Sequence, residues 1–203
     1  MSFEEKMYYA VRNIRDPLLK PIIKTFILLG FSPAWVSYLG IISMLLCIFC
    51  MRSNLYLSLI FLGLALLMDV LDGCLARALH VASDRGKFID VLVDNINFTI
   101  FSIGLLNVFL VSPLTTVLYV YCMLLVKILM ILKKNITKKT DWIIKPMVGA
   151  YPNIFVYSSY SLFALYVLGD INYLETASFI FTLLLIIKAL TDYSLITTTV
   201  FEA

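Results

Sequence analysis

From Trp35 onward the chain is a succession of apolar stretches, at about 35–51, 54–79, 87–111, 113–133, 150–169 and 173–199, parted by short polar connections. About twenty apolar residues is the length of a helix that crosses a bilayer's hydrocarbon core, where every backbone donor and acceptor must be satisfied within the segment. Repetition of that length leaves little room for a soluble fold. Of 203 residues, 62% are hydrophobic and 14% charged, too few polar groups to clothe a soluble domain of this size. The mean hydropathy of +0.96 says the same. The expected fold is an all-α membrane protein: about six transmembrane helices forming one domain over 32–203, preceded by a juxtamembrane amphipathic segment over 1–31.

In that first segment Phe3, Met7, Val11, Ile14 and Leu18 recur at helical spacing, while Glu4, Glu5, Arg12, Asn13 and Arg15 occupy other faces. Such a helix lies flat in the membrane interface. Asp16 before Pro17 predicts a restart, with a second short helix carrying Lys20 and Lys24 and stopping at Gly30. Ser32 and Pro33 then supply the cap and first position of the first span. The opening residues carry acids where a secretory signal needs a basic region, so the mature chain is expected to begin here.

The net charge of +3 is small, and its placement says more. Lys6, Arg12, Arg15, Lys20 and Lys24 precede the first span, Arg77, Arg85 and Lys87 surround the second connection, and lysines from Lys133 to Lys145 fill the fourth. The first, third and fifth connections hold only Arg52 among basic residues. The positive-inside rule therefore puts both termini and the even connections in the cytoplasm, at the cell membrane if the source is prokaryotic. Cys47, Cys50, Cys74 and Cys122 all fall in apolar stretches, and a zinc site would want further ligands beside the first two, so they read as packing residues.

Against this background four acids stand out: Asp69 and Asp72 near the cytoplasmic end of the second span, Asp90 and Asp94 near the cytoplasmic start of the third. Spacings of three and four keep each pair on one helix face. The short connection makes the two helices antiparallel neighbours, so the pairs face one another. An aspartate deep in a bilayer costs about 2.5–3.5 kcal/mol, so keeping all of them requires cations, water or protons. Oxygen ligands without histidine or cysteine favour a hard cation such as Mg2+ or Mn2+. Two ions there would serve both the attacking and the leaving oxygen of a phosphoryl transfer. Gly73 and Ala76 leave a groove on the same helix, and Arg77 is placed to pair with a phosphate. Ser83 and Asp84 are expected to cap the third span, with Gly86 opposite the Gly73 groove.

Read continuously, residues 69–94 are DVLDGCLARALHVASDRGKFIDVLVD: two acids three apart, Gly-x-x-Ala-Arg, eight residues, Gly, then acids at the fourth and eighth places beyond. This resembles the signature of the CDP-alcohol phosphotransferases, with every fixed position of the pattern occupied. The stretch PLLKPIIKTFILLGFSPAWVSYLG is similar to that family's approach to its first span; the later spans are generic. The resemblance implies a six-helix, homodimeric membrane enzyme whose polar cavity opens to the cytoplasm. It implies that Asp69, Asp72 and Asp90 hold metal and that Asp94 is the general base, also touching a second ion. Ser32, Pro33, Ala34, Trp35, Gly73, Ala76, Arg77, Ser83 and Gly86 would line the CDP-alcohol pocket. The expected partners are CDP-diacylglycerol, an alcohol acceptor and membrane lipid, with no nucleic acid.

The acceptor is the open point. The stretch before the first span leans toward inositol phosphate, and Lys133, Lys134, Lys138, Lys139 and Lys145 are expected to gather an anionic acceptor. CDP-choline or CDP-ethanolamine transfer to diacylglycerol is the alternative within the family. A small cation channel or transporter is the alternative outside it, but that reading expects acids spread through the bilayer's depth rather than gathered near one face. Lys188 and Asp192, four residues apart, are expected to form an ion pair on a helix face.

Overall fold

A computed structural model describes residues 3–81, 83–136 and 150–201. They form seven helices and, among the described residues, no strand: α1 (Phe3–Leu28), α2 (Pro33–Met51), α3 (Leu55–Ala78), α4 (Asp84–Asn107), α5 (Pro113–Ile136), α6 (Ala150–Gly169) and α7 (Leu174–Phe201). Five are long and apolar enough to cross a membrane: α2, α3, α4 over Ile89–Asn107, α5 over Pro113–Lys133 and α7 over Leu174–Thr198. The sixth expected span is helical, but its described apolar stretch, Asn153–Gly169, is shorter. Large apolar side chains face outward along these helices, Phe49 and Leu190 among them, as expected where the surroundings are lipid.

The restart at Pro17 is not found. α1 runs unbroken through Pro17 and Pro21. Each proline removes one helical hydrogen bond, but Leu19 and Ile23, four apart, are buried against α3 and hold that stretch of α1 in place. The stop at Gly30 is found as expected. With Gly30 at φ +74°, its N–H donates to the Ile27 carbonyl and that of Phe31 to Phe26, while the Phe26 and Phe31 rings pack at 5.3 Å. This double bond with an apolar clasp is the Schellman ending, and glycine takes its left-handed residue without strain.

The chain divides into two compact units, up to Phe101 and from Ser102. In the first, α2 and α3 pack as a hairpin whose closest approach is at Gly40, where an added Cβ would touch Met68 and the Ala65 carbonyl. Val36 of α2 meets Leu71, Cys74 and Leu75 of α3, and Leu19 and Ile23 of α1 close that cluster. Asn54 starts α3 by accepting the Leu57 N–H at 3.0 Å.

In the second unit α5 and α7 pack together, with α6 against α7. Phe163, Met123, Val126 and Leu185 are fully buried there. Tyr119 and Ser159 are hydrogen-bonded at 3.1 Å, and Phe155 and Phe181 pack at 5.0 Å. Glu175 ties the starts of α5 and α7 by accepting from the Ser112 N–H at 2.7 Å and the Thr115 hydroxyl at 2.8 Å.

Candidate active site

The aspartates converge as their spacing predicts. Oxygens of Asp69 and Asp72 on α3 and of Asp90 on α4 lie within 4.8 Å of one another. Asp94, one turn along α4 from Asp90, meets Asp69 side chain to side chain. Asp72 is buried, Asp69 partly so, and Asp90 is exposed, so the cluster is graded from the helix contact toward open space. Among the described residues the α3 and α4 backbones approach closely at few points; the acids span between the helices.

Two carboxylates this close repel by roughly 3–4 kcal/mol even at an effective dielectric of about 20. Such a cluster of like charges is relieved by a cation, by protons or by water. The donor set is all oxygen, with no thiol or imidazole among these ligand groups, so the residues fit a hard divalent ion.

Sequence reasoning missed Ser37. Its hydroxyl, buried on α2, donates to Asp72 Oδ2 and so fixes that carboxylate. A lone serine in an apolar helix carries no such message until the partner helix is known. Asn97 was missed as well. It is buried, its Oδ1 has no partner among the described residues, and it lies three residues beyond Asp94 on the same face of α4, with its Nδ2 beside Gly40.

The residues expected to line a pocket have the following contacts. Gly73 clears space for the Arg77 guanidinium, whose Nη1 would lie 3.4 Å from an added Cβ. Arg77 Nη2 reaches Asp16 of α1 at 3.3 Å and the Cys74 sulfur at 3.2 Å. Ala76 is half-buried on the same helix. Asp16 also bonds Arg15, at 3.2 Å. Burial raises the Asp16 carboxyl, but the Cys74 thiol, Arg77 and Arg15 together outweigh it and hold the group below its ordinary range. Ser83 caps α4 by accepting the Gly86 N–H at 3.1 Å, and among the described residues an added Cβ at Gly86 would meet that hydroxyl at 3.5 Å. Ser32 caps α2 toward the Trp35 N–H with Pro33 in the first position and Ala34 next, and Trp35 stands exposed, edge-on to Tyr38.

The expected acceptor lysines are less uniform. Lys133, on α5 of the second unit, donates to Asp192 at 2.9 Å, and Lys188 grips the same buried acid at 2.7 Å. The Lys188–Asp192 pair was expected; the engagement of Lys133 was not, because nothing local links α5 to α7. The side chain of Lys134, and all of Lys138, Lys139 and Lys145, lie outside the described residues.

Comparison with known proteins agrees with this picture. The CDP-alcohol phosphatidyltransferase family model matches residues 31–197. A CDP-diacylglycerol–glycerol-3-phosphate 3-phosphatidyltransferase of Aquifex aeolicus is 28% identical over 165 residues, covering 76% of this chain and 88% of that protein. In fold, the chain is similar to crystal structures of Mycobacterium tuberculosis phosphatidylinositol phosphate synthase. With CDP-DAG bound, that structure gives a TM-score of 0.66 at 14% identity, over 87% of this chain and 92% of that one. The apo form gives 0.67 at 16%, over 88% and 95%. With its signature helices, its carboxylate cluster and a family match over most of its length, this multi-pass membrane protein belongs to the CDP-alcohol phosphatidyltransferases, enzymes of phospholipid synthesis.

Proposed function

We propose that this chain transfers the phosphatidyl group of CDP-diacylglycerol to a hydroxyl of a phosphorylated polyol and releases CMP. One observation carries the reading: four carboxylates from α3 and α4 meet, with the Arg77 guanidinium packed beside Gly73 on α3. Two supports for the donor and acceptor come from relatives. The Aquifex protein is named for glycerol 3-phosphate, and the mycobacterial synthase was crystallised with CDP-DAG. The sequence before the first span leans toward inositol phosphate. Both acceptors are polyols bearing a phosphate.

In this reading Asp69, Asp72 and Asp90 hold the metal and Asp94 is the base, also touching the second ion. Two Mg2+ or Mn2+ ions held by these carboxylates would supply positive charge to the donor diphosphate and to the attacking and leaving oxygens. Asp94 takes the proton of the acceptor hydroxyl. That oxygen bonds to the phosphorus distal to cytidine, and the bond from this phosphorus to the bridging oxygen breaks. CMP leaves with the electron pair, and no covalent enzyme intermediate is needed. Ser32, Pro33, Ala34, Trp35, Gly73, Ala76, Arg77, Ser83 and Gly86 line the donor pocket, and the lysine-rich stretch of Lys133, Lys134, Lys138, Lys139 and Lys145 is the candidate to attract an anionic acceptor. The site and both termini face the cytoplasm, with α1 in the interface, and the enzyme works as a homodimer, in the cell membrane if the source is prokaryotic.

The test supplies purified protein with Mg2+ or Mn2+, CDP-diacylglycerol and a panel of acceptors, and records CMP release. Glycerol 3-phosphate or an inositol phosphate is expected to stand out, and a chelator should abolish release until metal is restored. Silence with every acceptor, and then with CDP-choline and CDP-ethanolamine plus diacylglycerol, overturns the proposal. Cation flux in liposomes without CMP release would favour a transporter instead.

A further inference from the structure

Arg77 sits between two demands. Its guanidinium fills the space cleared by Gly73, yet its Nη2 is turned toward α1, where Asp16 accepts from it at 3.3 Å. The Cys74 thiol donates to the same Asp16 oxygen, also at 3.3 Å, so one carboxylate clasps two successive turns of α3. Nε is buried without a partner, and the hydrogen bonds the guanidinium makes to described residues run through Nη2. A planar fork held at one corner keeps its orientation and leaves the other donors for an anion.

We propose that Asp16 is a positioning residue for donor binding, holding the Arg77 guanidinium over Gly73 so that Nη1 meets the diphosphate of the CDP-alcohol. The inference rests on the donor proposed above and makes α1 part of the donor site rather than only a membrane anchor. Without Asp16 the arginine side chain, with four rotatable bonds, samples orientations that leave the groove, and donor affinity falls. The chemical step, carried by the aspartates, stays as it was. Leu19 supplies the control: it is buried in the same α1–α3 contact without being part of the polar clasp.

The experiment compares full-length Asp16→Asn, Asp16→Glu and Leu19→Ala with the natural enzyme in lipid nanodiscs. Donor KM, acceptor KM and kcat come from CMP release, CDP affinity from calorimetry, and stability from thermal unfolding. Asp16→Asn should raise donor KM and weaken CDP binding by about tenfold to a hundredfold, the effect of one charge-assisted hydrogen bond. Its kcat should stay within about twofold and its acceptor KM should not move. Asp16→Glu should recover most of the loss, and Leu19→Ala should lower the unfolding temperature while donor KM holds. Unchanged CDP affinity and donor KM in Asp16→Asn overturn the proposal. So does an equal rise in donor KM in Leu19→Ala, since that would make the clasp merely structural. Natural enzyme that binds CDP but gives no CMP with any acceptor contradicts the proposed reaction alone, and the calorimetry still decides the role of Asp16.

Discussion

Asp94 is the residue on which the proposed chemistry turns. Replacing it by asparagine keeps shape and removes the base, so Asp94→Asn should cut turnover about 10²–10⁴-fold while CDP binding, followed by calorimetry, persists. Ser37 tests the metal side. Its hydroxyl fixes Asp72, and partners of ligating carboxylates typically contribute about 10–100-fold to metal affinity or activity. Ser37→Ala should therefore raise the metal concentration for half-maximal activity about tenfold, read from Mg2+ and Mn2+ titrations. The four aspartates were legible because helix period converts spacings of three and four directly into a shared face. Ser37 and Asp16 were not, because their meaning depends on which face of α2 or α1 meets α3, and no local pattern carries that.

Helix ends followed local chemistry closely. Ser32 with Pro33, Asn54, Ser83 and Gly30 mark starts and stops that their residue types announce. The failure at Pro17 has the opposite cause: tertiary burial of Leu19 and Ile23 held α1 together where propensity alone would end it. α3 ends on the same double bond as α1, with the His80 N–H on the Arg77 carbonyl and that of Val81 on Ala76, but here His80 rather than glycine sits at φ 56°. A left-handed conformation costs a side-chain-bearing residue about 1–2 kcal/mol, partly offset by the greater unfolded-state freedom of glycine. His80→Gly should thus stabilise the protein by about 0.5–1 kcal/mol in a thermal or denaturant unfolding assay.

At the scale of the molecule, the proposed metal and donor residues lie in the unit up to Phe101, while the second unit is organised around Asp192. That acid is 1% exposed and holds Lys133 and Lys188, themselves about a third exposed at 35% and 33%. Removing the acid leaves two ammonium groups facing each other, and breaking a buried pair typically costs about 3–5 kcal/mol. The lysines can partly turn to water, so Asp192→Asn should destabilise by about 3 kcal/mol in thermal unfolding. Lys133→Met should do less, since Lys188 still pairs. The apolar stretches made the membrane class legible at once. The Lys133–Asp192 contact was hidden because its partners are 59 residues apart.

The four cysteines, free and each no more than 7% exposed, have a use that has nothing to do with packing. Buried thiols react slowly with polar reagents, so the natural chain already offers a nearly silent background for labelling. Ser53 and Val81 are exposed just beyond opposite ends of α3, a helix of 24 residues and hence about 36 Å long. A single cysteine introduced at one or the other would take up a membrane-impermeant maleimide from one side only, and the pair would read out the direction in which this helix crosses the bilayer.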